Sequence, residues 1–445
     1  MRKQGKYFLL ISFFLLLAAR LLNAESSIEK IILISVDTLR ADYLGCYNSK
    51  MKTSPNLDRF ASENILFLHD TAQAPTTAPS HKSIFYSLYP SIHKTTIHSV
   101  PEEKLESPVQ ILRENGFATA AFTGGGQLNR SFGFARGFDS YWELPAQGNK
   151  KQHLDQTREV AFNWLEKHYQ EKFFLFLHTY EVHCPYDPPD AFFKKWASWY
   201  AGDFDRSKCQ PNLLFYGRLT NFDYRYIRDL YSAEINYVDT FVGELFKKLQ
   251  ALDIYDHTLI IFISDHGESL GERNYVGHNQ LYEVQLHVPW IMHVPGIRAA
   301  RIEAPVESID VMPTVFELLG IKNASFPFQG MSLKRMINSM TPNFERAIIS
   351  EARGRARIRI GNLALIFSPD GKIPEELYNL KTDPQEMENI ADRNPKTVER
   401  MKSPYFQMMA MSKNLSAQFV LTPGKKPELS EETSEQLKAL GYVAQ

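Results

Sequence analysis

From residue 30 onward the chain alternates between apolar runs and amphipathic stretches. Lys30–Val36 is mostly apolar and rich in β-branched residues, a pattern typical of a strand that is covered on both faces of a parallel sheet. Further strands of this kind are predicted at residues 118–122, 173–177 and 258–264. Helices are predicted at residues 54–63, 80–88 and 223–252. The alternation of strands with helices predicts a doubly wound α/β domain.

The pattern changes after about Gly330. Short strand-like segments follow one another at residues 346–350, 356–360 and 363–367, and they predict a small antiparallel sheet closed by a helix near residues 395–411. A last helix is predicted within residues 429–443, with Ser430 as its N-cap and Gly441 as its stop. We therefore predict an α/β domain at residues 28–335 and a small α+β subdomain at residues 340–445.

The first residues have the pattern of an export signal. A basic start at Arg2, Lys3 and Lys6 precedes an apolar run at residues 7–19, which is too short to span a bilayer comfortably. Ala24 is a small residue at a suitable cleavage point, so residues 1–24 are predicted to be a signal peptide. After its cleavage we expect no stable membrane span and a periplasmic or secreted protein. An uncleaved N-terminal anchor is the alternative.

Composition narrows the class of protein. The formal net charge is −1, so there is no electrostatic basis for binding nucleic acid or an anionic membrane surface. Cys46, Cys184 and Cys209 are irregularly spaced, which allows at most one disulfide and matches no zinc-finger spacing. The chain reads as an ordinary globular enzyme whose fold does not depend on disulfides.

Two predicted strands end on an aspartate. Asp37 follows the first strand, and Asp265 follows the strand at residues 258–264 and is followed at once by His266. Open α/β sheets bind ligands at the carboxyl ends of their strands, and carboxylate and imidazole groups are common ligands of divalent cations. An aspartate at a strand end is often only a turn or cap residue. The two sites together predict a metal centre at the sheet edge.

Thr77 lies in the turn that precedes the helix at residues 80–88. The N-terminus of a helix favours an anion, and a metal that touches the threonine oxygen would make it a nucleophile at neutral pH. A threonine followed by Pro79 before a helix is, taken alone, usually a simple cap. With Asp37, Asp265 and His266 on the same sheet edge, it predicts a hydrolytic site.

Longer runs of residues carry a resemblance to a known family. Residues 35–47, 74–90, 173–178, 264–268, 277–283 and 376–380 resemble motifs of the sulfatase family in the alkaline phosphatase superfamily. The resemblance extends over nearly all of the chain after the signal. It implies an alkaline-phosphatase-like α/β fold, with a doubly wound central sheet and a smaller C-terminal antiparallel sheet plus helix.

The resemblance also implies roles for individual residues. Asp37, Asp265 and His266 would be metal ligands, and Thr77 would be both ligand and nucleophile. Two further histidines, His183 and His278, would face the ester as leaving-group acid, substrate contact or ligands of a second metal. His178 and Glu181 are weaker candidates that lie close to His183 in the sequence.

The chain departs from the sulfatase pattern at several of these positions. Thr77 stands where sulfatases convert a cysteine to formylglycine, so no formylglycine is expected. His81 stands at the signature arginine and is a further catalytic candidate, and Thr38 stands where the family usually has a second aspartate. His266 replaces a common asparagine and favours a transition-type metal by ligand softness. Zinc, manganese and calcium all stay open as the divalent metal.

The departures make the site more similar to nucleotide pyrophosphatases, which resemble Thr77-x-Pro79-x-His81 and use threonine. We therefore predict an exported, metal-dependent hydrolase of sulfate or phosphate esters, with preference for a phosphate mono- or diester. Its substrate would be a small or a glycan- or lipid-derived anionic ester. The alternative is a non-catalytic protein that binds sulfated or phosphorylated glycans. The natural ester, the number of metals and the oligomeric state stay open.

Overall fold

The computed structural model describes residues 28–103, 106–145, 154–206, 219–321, 326–339 and 346–442. The predicted signal peptide, Cys209 and both ends of the subdomain predicted at residues 340–445 lie outside these residues.

Strands are numbered in chain order. They are β1 (Lys30–Val36), β2 (Ile65–Thr71), β3 (Val100–Glu103), β4 (Ala118–Thr123), β5 (Ser140–Glu143), β6 (Phe173–Thr179), β7 (Thr258–Ser264), β8 (Ser269–Leu270), β9 (Val276–Gly277), β10 (His287–His293), β11 (Ala300–Ile302), β12 (Val306–Glu307), β13 (Ile348–Ala352), β14 (Arg355–Ile360), β15 (Leu363–Phe367), β16 (Glu376–Asn379) and β17 (Val420–Lys425).

The helices, apart from short 3-10 turns, are numbered in the same way. They are α1 (Pro55–Glu63), α2 (Thr77–Tyr86), α3 (Pro90–His93), α4 (Pro108–Glu114), α5 (Leu154–His168), α6 (Asp190–Trp196), α7 (Asn221–Ala251), α8 (Glu283–Leu286), α9 (Val311–Leu318), α10 (Lys334–Ser339), α11 (Pro395–Phe419) and α12 (Glu431–Ala439).

Most of the chain is organised around one nine-stranded sheet with the order β11-β2-β10-β7-β1-β6-β4-β5, and β12 also pairs with β2. β1 lies at its centre, parallel to β6 on one side and to β7 on the other. β10 runs antiparallel to both β7 and β2, so the sheet is mixed. The α/β architecture predicted from the sequence is confirmed, with this one strand reversed.

Both faces of the sheet are covered, which explains why β1 is apolar throughout. Ile31 and Leu33 pack into one hydrophobic cluster, whereas Ile32 and Ile34 pack into a second cluster on the opposite face. Side chains alternate between the faces of a strand, so a strand needs apolar residues at consecutive positions only when both faces are buried.

The C-terminal residues form a separate small sheet. β13, β14, β15 and β16 pair antiparallel in sequential order, as their short spacing predicted. Arg357 on β14 is 1% exposed, and it contacts Glu283 at the start of α8 and Glu386 after β16. This group of charges links the small sheet to the segment that follows the loop carrying His278.

One expectation from the sequence is refined here. The helix predicted at residues 80–88 begins at Thr77 instead, because Pro79 fits within a first helical turn, where its missing N–H costs nothing. Among the residues described, no helix is both long enough and apolar enough to cross a membrane.

Candidate active site

The carboxyl ends of β1 and β7 bring the predicted ligands together. Val36 pairs with Ser264 in the parallel register, so Asp37 and Asp265 leave the sheet side by side. Asp265 Oδ1 accepts hydrogen bonds from the backbone N–H groups of Thr38 at 3.2 Å and His266 at 2.8 Å. The second aspartate is thereby fixed in place by the loop that follows the first.

Asp37, Asp265 and His266 form a group whose ligand atoms lie within 4.8 Å of one another. All three side chains are fully buried. Asp37 Oδ1, Asp265 Oδ2 and His266 Nε2 have no hydrogen-bond partner among the described residues. Buried polar atoms are normally hydrogen-bonded, so atoms that converge here without partners fit a bound cation.

The protonation equilibria of this group lead to the same conclusion. Burial and the neighbouring Asp37 raise the pKa of Asp265 well above its usual range. Burial opposes ionisation of Asp37 as well, but His178, His183 and His266 hold its pKa below the usual range. Burial and His278 lower the pKa of His266 to about 3, which leaves a neutral imidazole able to coordinate. A divalent cation would permit both carboxylates to ionise together.

Thr77 lies directly beside this group as the first residue of α2. Its hydroxyl donates a hydrogen bond to Asp37 Oδ2 at 3.0 Å, and the residue is fully buried. The next backbone N–H, that of Ala78, donates to Gln127 Oε1 at 3.0 Å, which fixes the start of the helix. The proposed nucleophile and the proposed metal ligands are therefore in contact.

His81 lies one helical turn below Thr77 and is also fully buried. Its Nδ1 is 2.9 Å from the Thr77 carbonyl oxygen, and its Nε2 is 2.9 Å from Ser35 Oγ. Burial and His178 lower its pKa to about 3, so the ring is neutral. Both ring nitrogens of His81 are thus engaged in hydrogen bonds within the fold, one of them to the residue Thr77 itself, and its catalytic role stays a prediction.

His183 and His278 face each other across the site, with ring centroids 5.2 Å apart. His183 Nδ1 contacts the Cys184 carbonyl oxygen, and a carbonyl can only accept, so this nitrogen donates. His278 Nδ1 likewise donates to Glu268 Oε1 at 2.9 Å. His278 Nε2 is buried without a hydrogen-bond partner among the described residues.

The weaker candidates take different places. His178 Nε2 lies 3.6 Å from Asp37 Oδ2, beside the group formed by Asp37, Asp265 and His266. Glu181 accepts a hydrogen bond from the Leu154 backbone at 3.1 Å, outside that group. Thr38, at the position of the usual second aspartate, has a left-handed φ of 57° and donates its hydroxyl to the Val182 carbonyl at 2.8 Å.

Sequence reasoning missed two residues of the site. Glu268 is fully buried and holds His278; its position two residues after His266, inside the same motif, was the available signal. Tyr442 was not predicted, because only the neighbouring Gly441 was interpreted there, as the stop of the last helix. Its hydroxyl lies 2.7 Å from Thr77 Oγ1 and 3.1 Å from His183 Nε2.

Comparison with known proteins assigns the chain to a family. Residues 29–321 match the family model described as Sulfatase. Human iduronate 2-sulfatase is 26% identical over 354 residues, which cover 63% of this chain and 62% of the relative. The chain spans between about a third and two thirds of the length of the curated relatives that it matches first.

Solved structures agree with the fold. The phosphonate monoester hydrolase of Agrobacterium radiobacter superposes with a TM-score of 0.71 at 18% identity, covering 87% of this chain and 96% of that one. A protein solved in complex with D-glucosamine-2-N,6-O-disulfate gives a TM-score of 0.72 at 19% identity, covering 86% and 98%.

Proposed function

The chain belongs to the sulfatase family, and on that premise we propose that it is a metal-dependent ester hydrolase whose nucleophile is Thr77. The observation that carries this proposal is the contact between the Thr77 hydroxyl and the Asp37 carboxylate, at the edge of a fully buried group of metal-ligating side chains. We propose phosphate esters as the preferred substrates.

The metal centre would comprise Asp37, Asp265, His266 and the Thr77 oxygen. A bound divalent cation would supply positive charge beside that oxygen, favouring its ionised form and offsetting the charge of an anionic ester. The imidazole in this set favours zinc or manganese over calcium.

The residues of the chain provide the remaining chemistry. The Thr77 hydroxyl loses its proton to water, because the pKa of Asp37 is too low for that carboxylate to keep a proton, and the hydrogen bond to Asp37 Oδ2 orients the Thr77 oxygen. Thr77 Oγ1 attacks phosphorus and the bond to the leaving oxygen breaks, while protonated His183 or His278 gives that oxygen a proton. Water then attacks phosphorus, returns a proton to the same histidine, and phosphate leaves as Thr77 recovers its own proton.

The preference for phosphorus follows from the nucleophile. Formylglycine enzymes can release sulfate by elimination from a hydrated aldehyde, and the hydroxyl of Thr77 offers no such route. A threonine ester must be cleaved by attack of water on the transferred group, which is the usual course for a phosphoenzyme. The likeness in fold to a phosphonate monoester hydrolase supports the same preference.

The proposal also covers the location of the protein and the kind of ester that it hydrolyses. We propose that the chain acts outside the cytoplasm, on a small or a glycan- or lipid-derived ester. The family and the likeness in fold to a protein solved with a disulfated sugar support an anionic ester of this kind.

A turnover panel tests the function. Purified protein and its Thr77→Ala and Thr77→Ser variants are loaded with zinc, manganese, calcium or magnesium and given nitrophenyl phosphate, bis-nitrophenyl phosphate and nitrophenyl sulfate. Thr76→Ala is the matched control, because the neighbouring threonine makes no side-chain hydrogen bond to cap the helix.

We expect phosphoester turnover that falls by roughly 10⁴-fold in Thr77→Ala, survives in part in Thr77→Ser, and is little changed in Thr76→Ala. Turnover of the sulfate alone would contradict the preference for phosphorus. Equal turnover in Thr77→Ala would contradict the nucleophile. Binding of phosphate without turnover of any ester would favour the non-catalytic alternative.

A further inference from the structure

The last described residues of the chain reach into the active site. Tyr442 follows α12, and its hydroxyl lies 2.7 Å from Thr77 Oγ1 and 3.1 Å from His183 Nε2. Its ring stacks at a tilt beside His183, with centroids 5.5 Å apart. Burial raises the pKa of this phenol well above its usual range, so it is a neutral hydrogen-bonding group here.

A loop of consecutive glycines forms the seat for α12. Gln436 donates to the Gly124 carbonyl at 2.7 Å and accepts from the Gly126 N–H at 2.9 Å. A Cβ on Gly125 would lie 2.5 Å from Gln436 Oε1, and one on Gly126 would lie 2.8 Å from Leu440 Cδ1. The helix can therefore approach the backbone of this loop because the loop carries no side chains.

Other contacts fix the helix above this seat. Ser430 caps its first turn by accepting a hydrogen bond from the Thr433 N–H at 3.1 Å. Asn129 donates to Thr433 Oγ1 at 3.2 Å, and Leu437 is 3% exposed within the hydrophobic core. The position of Tyr442 is thus set by a docked helix with its own contacts.

The phenol and an ester cannot occupy the site together. A reacting phosphorus or sulfur atom must come within about 3–3.5 Å of the attacking oxygen. Tyr442 Oη lies closer than that to Thr77 Oγ1, at 2.7 Å, and it also contacts the histidine proposed to face the leaving group. Asp37, Thr77, His183, Asp265, His266 and His278 are all fully buried in this arrangement.

We propose that α12 and Tyr442 form a gate that must leave its seat before an ester can reach Thr77. The inference rests on the proposed function, because it concerns the same nucleophile. Several modest contacts hold the gate, namely its hydrogen bonds and the buried Leu437 side chain, and an isolated helix of this length is marginal in water. Ligand binding at the metal group and docking of α12 are then competing events.

The competition can be measured without turnover. Zinc-loaded full-length protein is titrated with inorganic phosphate by calorimetry, and amide hydrogen exchange of α12 is followed with and without saturating phosphate. The variants are Tyr442→Ala, Tyr442→Phe and Gln436→Ala. Glu435→Gln is the matched control, since Glu435 lies exposed on the same helix.

We expect phosphate to bind Tyr442→Ala and Gln436→Ala about 30-fold more tightly than the unaltered protein, because the loss of about two hydrogen bonds favours the open state by that factor. Tyr442→Phe should show part of this gain, and Glu435→Gln none. Exchange in α12 should rise when phosphate binds. Gln436→Ala keeps the test valid if Tyr442→Ala folds poorly, because Gln436 lies outside the reacting groups.

Equal phosphate affinity in all variants, including no measurable binding in any of them, would overturn the gate. So would full protection of α12 while phosphate is bound. If phosphate binds with these differences but no ester is turned over, the gate stands and the proposed function fails.

Discussion

The protein buries charged side chains at the edge of the central sheet and again at the junction with the small sheet, and it does so in different ways. At the sheet edge, Asp265 Oδ2 and His266 Nε2 are buried without hydrogen-bond partners among the described residues. At the junction, Arg357 contacts Glu283 and Glu386, and the Arg359 guanidinium lies 2.8 Å from Glu283.

The pKa values reflect this difference. At the junction, burial alone would raise the pKa of Glu283, but Arg359 and Arg357 lower it to about 2. At the edge, burial and the like charge of Asp37 raise the pKa of Asp265. When the fold itself neutralises a group of buried charges, that group contributes to the free energy of unfolding. When neutralisation requires a bound cation, the unpaired charges lower the stability of the metal-free protein, and cation binding removes that loss.

The largest effect should come from the ligand group. Asp265→Asn removes a carboxylate ligand, so ester turnover should fall by about 10³-fold, and calorimetry should show weaker zinc binding. Without metal, its free energy of unfolding should change by less than about 1 kcal/mol, because the variant also removes the repulsion with Asp37. A large loss of stability in the metal-free protein would contradict the contrast between the two regions.

Breaking the group of charges at the junction should instead cause a large loss of stability. Arg357→Ala leaves Glu283 and Glu386 buried beside fewer positive charges, and the free energy of unfolding should fall by about 3–5 kcal/mol in urea denaturation. Arg59→Ala is the matched control, because the Arg59 pair with Glu63 is exposed and its loss should change stability little. Similar losses in both variants would mean that burial of the junction has no energetic consequence.

Glu268→Gln should have a smaller effect that falls on turnover. Glu268 orients His278 by accepting its Nδ1–H, and loss of such an orienting carboxylate commonly costs about 10–100-fold. We expect kcat to fall with little change in KM or in the midpoint of thermal unfolding. If KM rises while kcat is unchanged, Glu268 acts in binding and not in positioning the acid.

The smallest effect concerns pH. The pKa of Glu283 is lower in the folded than in the unfolded chain, so its stabilisation is present above about pH 4.3 and is lost as the pH falls towards 2. Glu386, whose pKa burial raises, partly opposes this change. Urea unfolding at pH 7, 4 and 2.5 should show a shallower acid loss in Glu283→Gln than in the unaltered protein. Parallel curves would exclude this role.

The sequence predicted the parts of the fold that local pattern determines. β7 was predicted with its observed bounds, and the long helix α7 to within two residues at its start, because an apolar run or a helical spacing is visible within a few turns of chain. The reversed direction of β10 was not predictable, since strand direction depends on how the whole chain crosses the sheet.

For the site as well, the sequence predicted only those residues that a short stretch of chain identifies. Asp37, Asp265 and His266 were found because they follow recognisable strands, and Thr77 because it precedes a recognisable helix. The structure brings the four residues together. The role of each remains a prediction. Tyr442 was missed because its partner Thr77 lies 365 residues away and no local pattern connects them.

The register between β1 and β7 has a consequence for how this site can vary in length. Because a slip of one residue turns every side chain to the other face of a sheet, an insertion or deletion inside either strand would separate Asp37 from Asp265. Length changes are tolerable only in the loops beyond these strands. An engineer seeking new substrates should therefore place length changes in the loops and leave the residue count of β1 and β7 untouched.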